Sequence, residues 1–181
     1  MVLNLYDDVE NKVILLVTSP VNYISDNLNI IKHYTNKKDA FCIYITANRP
    51  YTHLINLLKK ENINTKQILF IDTITSMGFD DVNRTENAIF TGSTKALTEI
   101  SIAATSAITK STSNNKLLLI DSISTLLTYN NLESVTRFSR FIINKMHDNE
   151  INGVIISVDK TTDRALIAQI SQFCDKIIES N

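Results

Sequence analysis

Glycine is scarce in this sequence, with three in 181 residues, and two of them fall in one polar segment, 73–92. The stretch TSPVNYIS, residues 18–25, has neither glycine nor lysine. It follows an apolar run ending at Val17 and leads into an amphipathic pattern, where a strand-to-helix loop of about eight residues usually surrounds a phosphate with glycines and a lysine. Cysteine is scarcer still, with two. Cys42 falls in an expected strand and Cys174 in an expected helix, with no second thiol nearby in sequence, so both read as small buried hydrophobes and neither a disulfide nor a zinc clip is supported.

Charge of either sign is missing as an excess: 18 basic and 19 acidic residues leave a net charge of −1 with no dense Lys/Arg cluster. A broad phosphate-binding face is therefore disfavoured, and nucleic acid with it. No apolar run approaches the ~18 residues needed to cross a bilayer, and the first residues carry acids where a secretion signal needs bases. A cytoplasmic protein without membrane contact is expected. The length fits one domain, residues 1–181, because a chain of ~150 residues already buries roughly 68–70% of its unfolded surface.

What is present is an alternation. Short β-branched runs recur at 13–18, 41–46, 67–72, 116–121 and 153–158, with a short sixth at 176–179. Near-continuous apolar strands covered on both faces mark a mostly parallel sheet. Between them lie helical patterns at about 27–34, 52–60, 95–110, 132–148 and 163–173, the third capped by Ser93 or Thr94. Segment 73–92 reads as a long excursion holding a small strand at Ala88 to Phe90; its charged residues Asp80, Asp81, Arg84 and Glu86 form a weak interface candidate. The fold class is α/β, a parallel sheet of five or six strands with helices on both faces.

In such sheets ligands bind beyond the carboxyl ends of the strands. The residues to question there are Thr18 and Ser19, Asn48 and Arg49, Asp72, Asp121 and Ser122, and Asp159 with Lys160. A phosphate loop has the form GxxxxGK[ST]; its glycines let backbone N–H groups close around phosphate, its lysine neutralises charge and its hydroxyl reaches magnesium. On that frame Thr18 and Tyr23 stand at the glycines, Ser19 and Pro20 between them, Ile24 at the lysine and Ser25 at the hydroxyl. Branched Thr18 and bulky Tyr23 resist the positive φ that glycine supplies, and Ile24 has no charge. The length is right and the chemistry is wrong. From this segment alone, a connection of arbitrary length is the better explanation, since strand-to-helix connections vary widely in length. KLLLID followed by Ser122 has the form of a Walker B strand, although an Asp ending a buried strand also serves as a cap or turn residue.

The blocks YITANRPYTHLINLLKKENINTKQILFIDTIT, LTEISIA, LLLIDSISTLLTYN and VTRFSRFIINKM, in this order, resemble the KaiC-like and RadA-like branch of the RecA superfamily, especially its small archaeal members. The resemblance covers about Lys12 to Glu179. It implies a three-layer RecA-like, P-loop-type fold with ATP held between subunits, an Asp closing the fourth strand near magnesium and a Glu after the second strand activating water. Carried over by position, Asp121 matches the magnesium-side Asp, and Asn48 stands at or beside the place of that Glu. A phosphate loop without its lysine and an amide that cannot accept a proton leave hydrolysis by the family's route without positioning or base.

The resulting expectation is a non-catalytic RecA/KaiC-like module that regulates or contacts proteins, either itself as a homo-oligomer or a partner ATPase, with no cofactor. TSPVNYIS is then a phosphate-loop remnant in which Tyr23 and Ile24 fill the phosphates' place. The first alternative is an atypical ATP-binding protein in which Asp121 and Ser25 hold magnesium for Mg-ATP and Arg49 or Lys160 replaces the lysine. A second is a DNA-associated recombinase paralogue. His33, His53 and His147 fall on separate helices and read as solvated side chains; Asp159, Lys160 and Arg164 read as a solvated turn or a ligand contact.

Overall fold

A computed structural model of the chain describes residues 12–77, 85–158 and 164–180. Seven strands form one sheet in the order β4-β3-β2-β5-β6-β1-β7, every neighbouring pair parallel. In chain order they are β1 (Val13–Val17), β2 (Phe41–Thr46), β3 (Ile68–Asp72), β4 (Ala88–Phe90), β5 (Lys116–Asp121), β6 (Asn152–Ser157) and β7 (Lys176–Glu179). The sequence led us to expect five or six. The seventh is three-residue β4, whose pairing of Phe70 to Asp72 with Ala88 to Phe90 gives the polar excursion a seat at the sheet edge.

Six α-helices cover the two faces: α1 (Tyr23–Lys32), α2 (Tyr51–Lys60), α3 (Leu97–Lys110), α4 (Ile123–Tyr129), α5 (Leu132–Asp148) and α6 (Arg164–Ile170). The strand alternation sorts the core. Ile14 and Leu16 of β1 pack toward α1 and α2 with Cys42, Tyr44, Leu117 and Leu119. Val13, Leu15 and Val17 pack toward α3 to α6 with Ile43, Ile45, Leu118 and Ile120. Because both faces are covered, β1 is buried at every position, which is why it reads as an unbroken apolar run. Each fully buried Leu or Ile there contributes about 1.5–3 kcal/mol over an exposed one.

Local signals set the helices. In α5, Val135, Phe138, Ile142 and Met146 recur at helical spacing and are all buried; Asn131 caps the start, its side chain accepting from Ser134 N–H at 2.8 Å. At Gly153 a Cβ would run into Met146 Sδ and would lie 3.2 Å from both Val13 methyls, so the absent side chain lets α5 close on β6. Among the described residues no helix is long and apolar enough to cross a membrane.

Three local expectations need correction. The first helix begins at Tyr23, four residues before the expected start, and runs on through a π turn, His33–Lys37. The third helix is preceded by Ala96, and neither Ser93 nor Thr94 caps it; the Ser93 hydroxyl accepts instead from Lys95 N–H at 3.2 Å. His53 and His147 are exposed as expected, but His33 is buried, because it opens the π turn that follows α1 and packs beside Tyr34, their rings meeting edge to face.

Candidate functional site

Asp121 is the last residue of β5 and, by the two-residue period of a strand, shares the face of Leu117 and Leu119 toward α1 and α2. It is fully buried. Tyr44 projects to that same face from neighbouring β2, and its hydroxyl donates to Asp121 Oδ2. Tyr23, in the first turn of α1, donates its hydroxyl to Asp121 Oδ1. Asn48, two residues beyond β2, donates its amide to the Tyr23 oxygen at 2.9 Å and to Asp121 Oδ1 and Ser122 Oγ at 3.3 Å each. Its own carbonyl accepts from Thr125 Oγ1. Behind Tyr44, Asn27 Nδ2 donates to the phenol at 2.9 Å.

The three ionisable members of this network, Asp121, Tyr23 and Tyr44, all resist ionisation. Burial raises the Asp121 carboxyl above its ordinary range, opposed by hydrogen bonds from Tyr23, Tyr44, Asn48 and Asn27. Burial, with the charge of Asp121 next, drives both phenols far above the usual tyrosine value, so they stay protonated and act as donors. No cationic side chain is paired with Asp121 among the described ion pairs.

The strand-to-helix loop is tied down beside it. Thr18, buried, donates its hydroxyl to Asp26 Oδ2 at 2.6 Å, and its N–H bonds Ser157 O at 2.9 Å. Ser19 O accepts from the N–H groups of Asn22 and Tyr23 and turns the chain into α1, leaving Pro20 exposed. Ile24 is 40% exposed. Ser25 is exposed, and its hydroxyl donates to Asn22 O at 2.8 Å. Arg49 is half-buried and, with Ile24, Leu28, Leu54, Leu57 and Asp121, lines a cavity of about 10 Å³ between α1 and α2, room for one water.

Tyr23, Asn48, Asp121, Ser122 and Arg49 are thus brought to one place, and Ile24, partly exposed, borders the same cavity, whereas Ser25 is turned away to Asn22 O. Asp159 and Lys160 lie outside the described residues, as do Asp80, Asp81 and Arg84. As arranged, the residues do not fit a magnesium nucleotide: the carboxylate is enclosed, the expected hydroxyl ligand is turned to its own helix, and the lysine position is apolar. Asp72, also at a strand end, accepts from Ile74 and Thr75 N–H groups in the turn after β3 and from Tyr51 N–H at the start of α2, at 2.7–2.9 Å, and serves local structure. Ser122, whose side chain accepts from Thr125 N–H, caps α4; the peptide before it is cis.

Sequence reasoning missed Tyr44, Asn27, Asp26 and Thr125. Tyr44 carried a usable signal, since a tyrosine inside an otherwise apolar strand needs a partner for its hydroxyl.

Comparison with solved structures places the fold. The KaiC-like protein PH0186 of Pyrococcus horikoshii OT3 superposes with a TM-score of 0.63 at 12% identity, covering 94% of this chain and 71% of its own. PH0321 of Pyrococcus horikoshii, solved in complex with an unknown peptide, gives 0.73 at 10%, covering 98% and 82%. PH0250 of Pyrococcus horikoshii OT3 gives 0.66 at 10%, covering 98% and 86%. The fold is that of the KaiC-like, RecA-like proteins, a three-layer α/β arrangement. No curated protein matches the sequence. A family match covers Asp121 and Ser122 but not the loop at 18–25 or Asn48. It spans residues 64–180, and the chain belongs to that family, the family of unknown function DUF7504.

Proposed function

We propose that this protein is a non-hydrolysing RecA/KaiC-like module that works through protein contacts, with itself or with a partner ATPase. One observation carries the reading: both carboxylate oxygens of Asp121 accept from tyrosine hydroxyls, and one of those tyrosines, Tyr23, comes from the phosphate-loop remnant itself. The loop supplies a donor to the carboxylate where an ATPase would supply a lysine to phosphate. Asn48 adds a donor and no base. A protein-contact role gains support from PH0321, a protein of the same fold whose structure holds a peptide.

Isothermal titration with Mg-ATP and Mg-ADP, at concentrations that detect a Kd of about 1 mM, tests it. No heat of binding is the expected result. Binding heat that disappears in Asp121→Ala overturns the reading and favours an atypical nucleotide site with Arg49 as its cation. Arg49 is the one observation on that side, because it borders the cavity above Asp121.

A further inference from the structure

The face of α3 turned away from the core is unlike an ordinary solvated helix face. Ile102 is 65% exposed and Phe141, on neighbouring α5, is 42% exposed; both border an open groove of about 660 Å³ with Thr98, Thr105, Ser106 and Thr109. Three of the hydroxyls at this groove are already engaged within the helix. Ser101, Thr105 and Thr109 each donate to the carbonyl four residues earlier, at 2.7–2.8 Å, so the side chains present methyl and methylene surface.

Charge arrangement identifies what fits there. At about 100° per residue, Ile102, Ser106 and Thr109 point along one line, while Glu99 and Lys110 both fall on the same flank, away from α5. Glu99 and Lys110 are also equidistant from the midpoint between Ala104 and Thr105. Both are exposed, and Gly92 N–H at 2.8 Å from Glu99 Oε2 steadies the carboxylate. A two-fold axis through that midpoint, relating two antiparallel α3 helices, sets each Glu99 against the other copy's Lys110. The same operation lays each Ile102 over the hollow formed by the second copy's Thr105, Ser106 and Thr109, a large residue over small ones on both sides.

We infer that α3 is a self-association surface, on which two copies of this chain pair antiparallel through Ile102 and the Glu99–Lys110 flanks. The occupant is a second copy because the complementarity is internal to one helix: apolar knob, small-residue hollow, and opposite charges at mirrored positions. Helix α3 is about 21 Å long. One such helix and Phe141 offer less area than the ~800 Å² per partner of a standard interface, so the dimer is weak, with a Kd on the order of 100 μM. This deepens the interaction-module reading and rests on it, yet the tests separate: nucleotide titration decides the first and self-association the second.

Sedimentation equilibrium of the full chain at up to ~1 mM, in low salt, is the experiment. The expected result is a monomer–dimer equilibrium that is lost in Ile102→Lys, weakened about tenfold in Glu99→Lys, and restored to within about threefold in Glu99→Lys/Lys110→Glu. All three positions are exposed, and unchanged thermal melting of each variant verifies that the fold is kept. A monomer at every concentration overturns the inference. So does a dimer indifferent to Ile102→Lys, or a double variant as weak as Glu99→Lys alone.

Discussion

The hydroxyl of Tyr23 donates to Oδ1 of Asp121, joining the first turn of α1 to the last residue of β5. Tyr23→Phe keeps the ring and deletes that donor, leaving a buried carboxylate oxygen with only the long Asn48 contact. We expect a loss of about 1–3 kcal/mol in urea denaturation. A loss near zero would mean that the phenol merely rests on the site.

Asp121 also sets a pH signature. Its folded pKa is raised by burial above the unfolded value of 3.8, so its contribution to stability is full below pH 4 and is lost as pH rises through the folded value. Asp121→Asn has no such loss. The stability of the variant relative to the natural chain should therefore rise with pH above 4, read from urea midpoints between pH 4 and 8; a constant difference would contradict a raised pKa.

Asp175 has the opposite sign. Burial works against its charge, but Val13 N–H, donating at 2.7 Å, and His147, at 3.0 Å, together with the charge of Lys12, hold its pKa below the usual carboxylate range. That contribution is present above the unfolded value near 3.8 and is lost as pH falls through the folded one. Asp175→Asn should consequently flatten the acid limb of the stability curve, measured by the same titration carried below pH 4.

Placing an acid at position 48 should do harm. Asn48→Asp replaces a donor 3.3 Å from Asp121 with a second carboxylate, and like charges in a buried site oppose each other. We expect a cost of about 2–4 kcal/mol at pH 7, recovered in part at pH 5 as one carboxyl takes a proton. No ATP hydrolysis should appear; its appearance would revive the enzyme reading.

Gly153→Ala tests the close approach of α5 to β6. The added methyl meets Met146, which is itself fully buried, and both Val13 methyls. Overpacking of this kind costs about 1–3 kcal/mol, visible as a lower thermal midpoint.

The architecture was largely written in the chain. Five strands were legible as apolar runs because a sheet covered on both faces demands them, and α5 was legible because Val135, Phe138, Ile142 and Met146 keep a helical period. The start of α1 was not, because no N-cap side chain marks it and two of its first residues, Tyr23 and Asp26, are held from outside the helix by Asp121 and Thr18. At the site, the sequence marked Asp121, Asn48 and Tyr23 one by one. What it could not show is that the three meet, since hydrogen bonds across 73 and 98 positions leave no local trace. Tyr44 was hidden for a different reason: half of it is core and only the hydroxyl is site.

The place of β1 in the sheet bears on how the protein is made. It is the earliest described strand to leave the ribosome, yet its two neighbours are β6 and β7, the last to follow. At ~5–20 residues per second, Val13 to Val17 spends on the order of ten seconds without either edge partner. During translation this apolar segment is the chain's exposed aggregation hazard, and a nascent chain stalled before Asn152 should bind chaperones through it.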